Sequence, residues 1–415
     1  MLGWDFRPER TGGVGSACRG LAEALVRIGA EVSVVCPAEG HAEGLAPLRL
    51  PASIPSPHPP RGDGMERAAV TDSTTGPRAP SADALRLLRV ASPLTPYLTR
   101  ADYAAAPPPP PASPGLLAEV RRFAEQAAVA AAGTAHDVVH AHDWMTLPAA
   151  LRVVEERHRP LVWHVHSTEL ERRPNGPDPA IVALEQHGLD RADRVVAVSR
   201  RTAELLGARY RVDPDKLRVV HNAVSPPAGA PARWQRSEDR PLVLFLGRLT
   251  EQKDPLTFLR AAALAAPAVP AARFVVAGGG ELLPSLMRET ERLGLGERVH
   301  FTGMLAGEDV ERMFALAHVY VMPSVAEPFG IAALEAMCAD VPVVITRESG
   351  VAEILRNALV IDAGDVGALA DRIVSLLLRP ALRETLIEQG RVEVATLRWE
   401  VRARSLLRIF EELAA

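Results

Sequence analysis

Two cations and two carboxylates in the second half of the chain are spaced to suit a phosphate-bearing ligand. Gly247-Arg248 follows an apolar run, and Lys253 comes five residues after Arg248. An Arg fork and a Lys point charge at a strand-end turn suit a pyrophosphate. Further on comes Glu327-Pro328-Phe329-Gly330-Ile331-Ala332-Ala333-Leu334-Glu335. The Pro-Phe-Gly turn predicts a helix opening near Gly330, with Glu335 about one and a half turns inside it. One carboxylate in the loop and one on the helix can reach different parts of one ligand. The N–H groups near Gly330 and Ile331 then face its phosphate. Taken as an isolated pair, the two acids would read as a dipole partner and a solvated helix residue.

A second anion signal stands near the start. Thr11-Gly12-Gly13-Val14-Gly15 precedes a predicted helix over Ser16–Ile28. Glycines let a backbone approach an anion, and a helix N-terminus offers unpaired N–H groups. The run is not GxGxxG, so the dinucleotide fingerprint is unmet. Only Met1–Trp4 is left to form the preceding strand. That is short, and it predicts that an extension in front of Met1 would add stability.

Elements must hold these groups. Short β-branched runs alternate with Ala-, Leu-, Arg- and Glu-rich helical stretches. Strands are predicted at Glu31–Cys36, Asp137–His142, Leu161–His166, Arg194–Ser199 and Leu217–His221. A second set falls at Leu242–Gly247, Arg273–Ala277, Val299–Gly303, Val319–Pro323, Val341–Thr346 and Leu359–Ile361. The fold class is α/β, with parallel sheets covered on both faces. The pattern occurs twice, so the predicted domains are 1–224 and 241–396, joined by a Pro-rich linker at 225–240 and followed by a helix at 397–415. Pro47–Pro114 holds a dense share of the 36 prolines. It reads as a surface excursion, either an acceptor-side lid or a tolerated insertion, with a short helix at Ala84–Val90.

Composition bounds the function. The 415 residues are 47% apolar and 24% charged, with net charge −4. That balance argues against a nucleic-acid-coating protein. Cys18, Cys36 and Cys338 lie far apart with no CxxC pattern, which fits a reducing compartment. The first residues are too polar for a signal peptide, and the apolar runs are strand-length. The expected location is the cytoplasm. Arg121-Arg122, Arg157-His158-Arg159 and Arg172-Arg173 offer charge to an acidic membrane surface, but scattered solvated arginines are the simpler reading. Asp213-Pro214-Asp215 has the bare spacing of an Asp-x-Asp metal motif and reads as a solvated turn.

The set as a whole resembles the family-4 (group 1) retaining glycosyltransferases of the GT-B fold. The likeness rests on Gly247-Arg248…Lys253, on Glu327 and Glu335 as Glu-x7-Glu, and on Ser349-Gly350-Val351-Ala352-Glu353. It extends to the glycine run, to His140-Ala141-His142-Asp143-Trp144 and to His164-Val165-His166-Ser167-Thr168-Glu169. The bacterial branch related to glycogen and starch synthases looks nearest. Arg10 stands where those synthases have Lys, and Phe329 where they have Cys. Asp254 and Asp340 stand where the family often has Gly, so the turns there depart from its pattern.

The resemblance implies two Rossmann-like domains facing a cleft. It implies a nucleotide-diphosphate sugar (ADP-, UDP- or GDP-linked, the sugar glucose) as donor, and a carbohydrate or other hydroxyl acceptor. It implies no cofactor, no metal and no nucleic-acid partner. Arg248 and Lys253 would neutralise the leaving diphosphate. Glu335 would take the ribose hydroxyls and Glu327 those of the donor sugar. Backbone N–H groups at Gly13, Val14, Gly330 and Ile331 would complete the cradle. His166 would lie by the reacting sugar. His142 would be a structural residue at a strand end or a catalytic one on the acceptor side, Asp143 and Trp144 would shape the cleft, and Glu169 would lie on the acceptor side. The alternatives are a nucleotide-sugar epimerase or phosphorylase on the same scaffold, or a non-catalytic GT-B binding module.

Overall fold

The computed structural model describes residues 1–4, 8–38, 46–47, 84–105, 114–225 and 234–414, with the backbone course alone at 8–12 and 46–47. Half of the predicted linker (226–233) and most of the Pro-rich segment lie outside these residues.

The first half builds a sheet from β1 (Val32–Ala38), β2 (Ala46–Pro47), β3 (Leu85–Ala91), β4 (Val139–His142), β5 (Leu161–Val165), β6 (Arg194–Ala197) and β7 (Leu217–Val219), parallel but for the two-residue β2, which runs antiparallel to β3. Hydrogen bonding links β4-β5-β6-β7 and, separately, β1-β3-β2. Leu2 joins the two groups. It bridges Val35 and Ala141 in parallel, and its N–H donates to His140 O at 2.7 Å. The short Met1–Trp4 segment is thus the central rung of one sheet.

The second half is a six-stranded sheet of β8 (Leu242–Leu246), β9 (Arg273–Ala277), β10 (Val299–Gly303), β11 (Val319–Met322), β12 (Val343–Thr346) and β13 (Leu359–Ile361). Its order, β10-β9-β8-β11-β12-β13, is all parallel. Numbered within the sheet this is 3-2-1-4-5-6, the doubly wound order. The direction of winding reverses between β8 and β11, which opens a crevice at their carboxyl ends. The four inner strands β9, β8, β11 and β12 are largely buried, as their near-continuous apolar runs require, while the edge strands β10 and β13 are mostly half-buried.

Two expectations are corrected. Leu85–Ala91 is strand β3, in parallel register with β1 over seven residue pairs, and not the short helix expected at Ala84–Val90. Leu-Arg-Leu-Leu-Arg has helix-forming composition, but burial of Leu85, Leu87 and Val90 against the neighbouring strand overrides that propensity. This part of Pro47–Pro114 is therefore sheet core and not surface excursion. The first helix runs Pro8–Arg27, so Thr11–Gly15 lies inside it and not in a loop before it. Pro8 is preset for a first helical turn, and Glu9 and Arg10 continue it.

The helix Trp399–Ala414 returns to the first sheet's side. A Cβ at Gly20 would meet the Trp399 indole at 2.3 Å, so the two helices touch only because position 20 has no side chain. Arg27 and Glu400 pair at 3.1 Å beside that contact.

Candidate active site

Three loops leave the carboxyl ends of β8, β11 and β12 and are stitched together. Gly247 N–H donates to Ala277 O, and Leu249 N–H to Gly279 O. Gly278 and Gly280 have φ of 137° and 155°, and a Cβ on either would strike the backbone oxygen of Gly247 or Leu249. These glycines hold the Arg248 loop at close range. The sequence reading passed them over, although three glycines directly after a strand were a visible signal.

The 3-10 turn Glu251–Lys253 follows, closed by Asp254 at φ 46°. Asp254 then caps the next helix by accepting from Thr257 N–H at 3.1 Å. Asp340 is likewise left-handed, at φ 60°, with its carboxylate on Arg391. Both positions where Asp replaces the family's Gly thus keep a backbone that Gly, Asn and Asp tolerate best.

Lys253 Nζ is paired with the Glu327 carboxylate, which is 7% exposed. Ser324 Oγ also donates to Glu327, at 3.4 Å. Val325 N–H donates to Gln252 O, tying the β8 loop to the β11 loop. The helix Ile331–Cys338 opens directly after Gly330, whose φ is 104°. Ala333 N–H is taken by Gly330 O at 3.1 Å, which leaves the N–H groups of Ile331 and Ala332 without a carbonyl one turn back, at the carboxyl end of the sheet. Glu335 lies on this helix, half-buried, and burial pushes its carboxyl up to about 7.

Arg248 stacks its guanidinium 4.5 Å over the Tyr97 ring and donates to Gln252 Oε1 at 3.1 Å. Tyr97 comes from the turn after β3, at φ 66°. Asp143, Arg172, Arg248 and Glu327 all act on its hydroxyl, so it sits where first-half and second-half groups meet. No local pattern in the sequence marked Tyr97.

On the first-half side, β4, β5 and the residue directly after β5 carry four buried histidines. His142 Nδ1 and His166 Nε2 are 2.8 Å apart, and His140 Nε2 and His164 Nδ1 are 3.2 Å apart. Burial pushes all four imidazoles down, His166 to about 3, so the rings are neutral. Cys18 Sγ joins His142 and His166 with ligating atoms within 4.8 Å, and His140, His142 and His164 form a second such trio. The donor types suit zinc. The His142–His166 pair, however, is joined end to end, with ring centroids 5.1 Å apart. Of His142 Nδ1 and His166 Nε2, one donates its N–H to the lone pair of the other, so while this hydrogen bond stands neither is open to a metal.

Asp143 takes φ 60° at the exit of β4. Its Oδ1 accepts the N–H groups of His166 and Ser167, fixing the loop after β5. Burial raises its carboxyl to about 6, against the opposing pull of Arg172 and these two donors.

Four predicted site residues are placed differently from expectation. Gly13 and Val14 sit within the first helix, where their N–H groups belong to the helical ladder. Trp144 is 3% exposed and packs in the core instead of lining a cleft. Glu169 turns inward, accepting from Asp178 N–H at 3.0 Å and from Arg172 at 3.3 Å. Arg172 in turn bonds Glu185 at 3.0 Å, and Arg122 is spent on Glu119 and on Ala91 O. Neither arginine is a solvated surface charge. Asp213 caps the turn Pro214–Lys216 by accepting from Asp215 N–H at 2.9 Å, a solvated turn as read.

Comparison with known proteins agrees with this architecture. Residues 230–393 match the family described as glycosyl transferases group 1, and residues 70–226 match glycosyltransferase family 4. An uncharacterized glycosyltransferase of Methanocaldococcus jannaschii is 27% identical over 86% of this chain and 82% of its own. A D-inositol 3-phosphate glycosyltransferase of Mycobacterium sp. (strain KMS) is 32% identical over 61% of this chain, and the match spans 62% of that relative's length. Among solved structures, sucrose-phosphate synthase from Thermosynechococcus elongatus superposes with TM-score 0.73 at 22% identity, covering 97% of this chain and 94% of that one. Anabaena HepE, solved with UDP and glucose, superposes with TM-score 0.65 at 16% identity over 99% of both chains. These likenesses fix the fold as GT-B. No helix among the described residues is long and apolar enough to cross a membrane.

Proposed function

Because the chain belongs to the group 1, family 4 glycosyltransferases through both of its halves, we propose that it moves glucose from a nucleotide-diphosphate sugar to a hydroxyl acceptor, with retention at the anomeric carbon and without a metal. One observation carries the reading. Arg248, Lys253, Glu327 and the helix opening at Gly330 all leave the two strand ends that flank the point where the second sheet's winding reverses. Ligands of doubly wound sheets bind in that crevice.

Breaking the sugar–phosphate bond builds a cationic sugar and an anionic diphosphate. Arg248 and the first N–H groups of the helix Ile331–Cys338 meet the growing negative charge. Lys253 and Glu327 hold each other in the free protein. On donor binding the diphosphate takes Lys253 and the sugar hydroxyls take Glu327. The pair thus keeps both groups in place without a stranded buried charge. The half-buried Glu335 accepts from the ribose hydroxyls. His166, neutral down to about pH 3, is a poor proton acceptor, which speaks against an inverting general base. Its part is to present a dipole to the developing sugar cation. Solved HepE with UDP-glucose, at TM-score 0.62, supports UDP-glucose as the first donor to try.

The test is a thermal-shift screen of ADP-, UDP- and GDP-glucose, since a donor that binds the folded state raises its melting temperature. Proton NMR of the first product from the stabilising α-linked donor follows. An α linkage is expected. A β linkage, or donor isomerised with no acceptor present, would overturn the reading.

A further inference from the structure

The turn after β12 ends at Glu353, the last residue of Ser349-Gly350-Val351-Ala352-Glu353, and no step above uses it. Its carboxylate crosses to the first half of the molecule. Oε1 accepts from Arg201 N–H at 2.7 Å and Oε2 from Arg200 N–H at 2.9 Å. These are the first N–H groups of the helix Arg200–Arg209. His221 Nε2, just beyond β7, lies 2.9 Å from the same Oε2. A carboxylate on a helix N-terminus meets both unpaired donors and the positive end of the helix dipole.

The other side of that turn holds the Glu327 loop. Gly350 N–H donates to Glu327 O at 2.9 Å, Val351 N–H to Phe329 O at 2.7 Å, and Glu327 N–H to Glu348 O at 3.0 Å. A Cβ at Gly350 would lie 2.2 Å from Pro328 O and 2.6 Å from Ser199 Cβ, so the turn is wedged between the loop and the cap of the crossing helix. His221 also faces the Phe329 ring, with centroids 6.1 Å apart. The Glu353 carboxylate therefore joins its own turn to the start of the helix Arg200–Arg209 and the exit of β7, and the backbone of that turn holds the Glu327–Gly330 loop.

We propose that Glu353 is a positioning residue that fixes the Glu327–Gly330 loop to the first half of the molecule and so sets where Glu327 and the N-terminal turn of the helix Ile331–Cys338 stand relative to the acceptor side. The part of this that concerns turnover rests on the proposed glucosyl transfer. The part that concerns loop order does not. Glu353 touches neither donor nor acceptor, so its loss leaves the groups that hold the nucleotide and misplaces the sugar-facing ones.

Glu353→Ala and Glu353→Gln test this in the full chain, with UDP and UDP-glucose as probes. Gln keeps the shape and one accepting oxygen but sets an NH2 against a backbone N–H. Hydrogen exchange followed by mass spectrometry should show faster exchange in peptides covering 326–332 and 348–353 in Glu353→Ala, with the peptide covering β8 unchanged. Glu353→Gln should fall between that variant and the parent. Turnover at saturating UDP-glucose should drop about tenfold or more, as displacement of a positioned group does. UDP affinity by calorimetry should change by less than about threefold, about 0.6 kcal/mol. His221→Ala, which removes one of the three partners, should shift the same peptides less. Unchanged exchange at 326–332 in Glu353→Ala would overturn the proposal. So would a loss carried by UDP affinity with turnover at saturation intact. If Glu353→Ala does not fold, the exchange pattern of Glu353→Gln decides. If the parent neither binds UDP nor turns over UDP-glucose, the donor reading fails and the exchange result still decides the clasp.

Discussion

Asp143 Oδ1 accepts the backbone N–H of His166 at 2.7 Å and that of Ser167 at 3.2 Å, so one oxygen on the exit of β4 fixes the exit of β5. The residue does this from a left-handed backbone at φ 60°. Asn keeps Oδ1 and tolerates that backbone; Ala does neither. Asp143→Asn is therefore expected to unfold in urea close to the parent. Asp143→Ala should lose about 2–4 kcal/mol from two stranded buried donors plus backbone strain. Equal midpoints for the two variants would mean that Oδ1 does not carry the loop.

Arg248 and Lys253 should separate in stability although they share a catalytic task. Arg248 stacks on Tyr97 at the mouth, and its removal leaves no buried countercharge. Removal of Lys253 strands the Glu327 carboxylate. Either change to Ala should cost about 10²–10³ in turnover at saturating donor. Only Lys253→Ala should also lower stability, by about 1–3 kcal/mol, since Lys253 is itself partly exposed. Adding Glu327→Gln to Lys253→Ala should restore the melting temperature and not the rate. A melting temperature untouched by Lys253→Ala would show that the pair contributes nothing in the free protein.

Glu335 makes stability depend on pH. Burial lifts its carboxyl from 4.5 to about 7, so the folded chain holds a proton that the unfolded chain has lost. Stability linked to this group is complete below about pH 4.5, falls as pH rises from there to about 7, and is fully lost above that. Glu335→Gln should raise the unfolding free energy at pH 8.5 by about 2 kcal/mol and leave it unchanged near pH 4.5. Calorimetric scans across that range decide it, and a gain independent of pH would place the effect elsewhere. Donor affinity should weaken in the same variant.

Turnover should survive a chelator. Arg248, Lys253 and the N–H groups of the helix Ile331–Cys338 supply the positive charge that a divalent ion would otherwise bring. Incubation with EDTA should leave the rate within about a factor of two. A tenfold loss reversed by magnesium would assign the diphosphate to a metal.

The sequence made the second sheet readable because its inner strands are buried apolar runs, rich in Val, Leu and Phe and set between helical stretches. Observed β8, β9, β10, β11 and β13 fall on the predicted runs to within a residue. The helix opening at Ile331 follows from Pro328-Phe329-Gly330 in the same way. β3 was misread because Leu85–Val90 alternates too weakly to reveal its period, and its partner strand lies some fifty residues away. Tyr97 escaped for a related reason: what matters about it is a contact with Arg248, and no local spacing encodes that. The histidine stack was half legible. His-x-His on two strands places all four rings on one face, while the stagger that pairs His142 with His166 needed the register of β4 on β5.

The helix Trp399–Ala414 seats on Gly20 and brings Phe410 against His140. During synthesis these residues emerge after the whole second sheet has been made. The β8–β13 unit can therefore close while the first unit still lacks its cover, although chains ordinarily complete their leading part first. Until residues 399–414 have left the ribosome, the chain carries a first unit with an open apolar groove along its opening helix. That nascent form is the one open to chaperones and proteases, and it lasts until the helix Trp399–Ala414 is free to seat on Gly20.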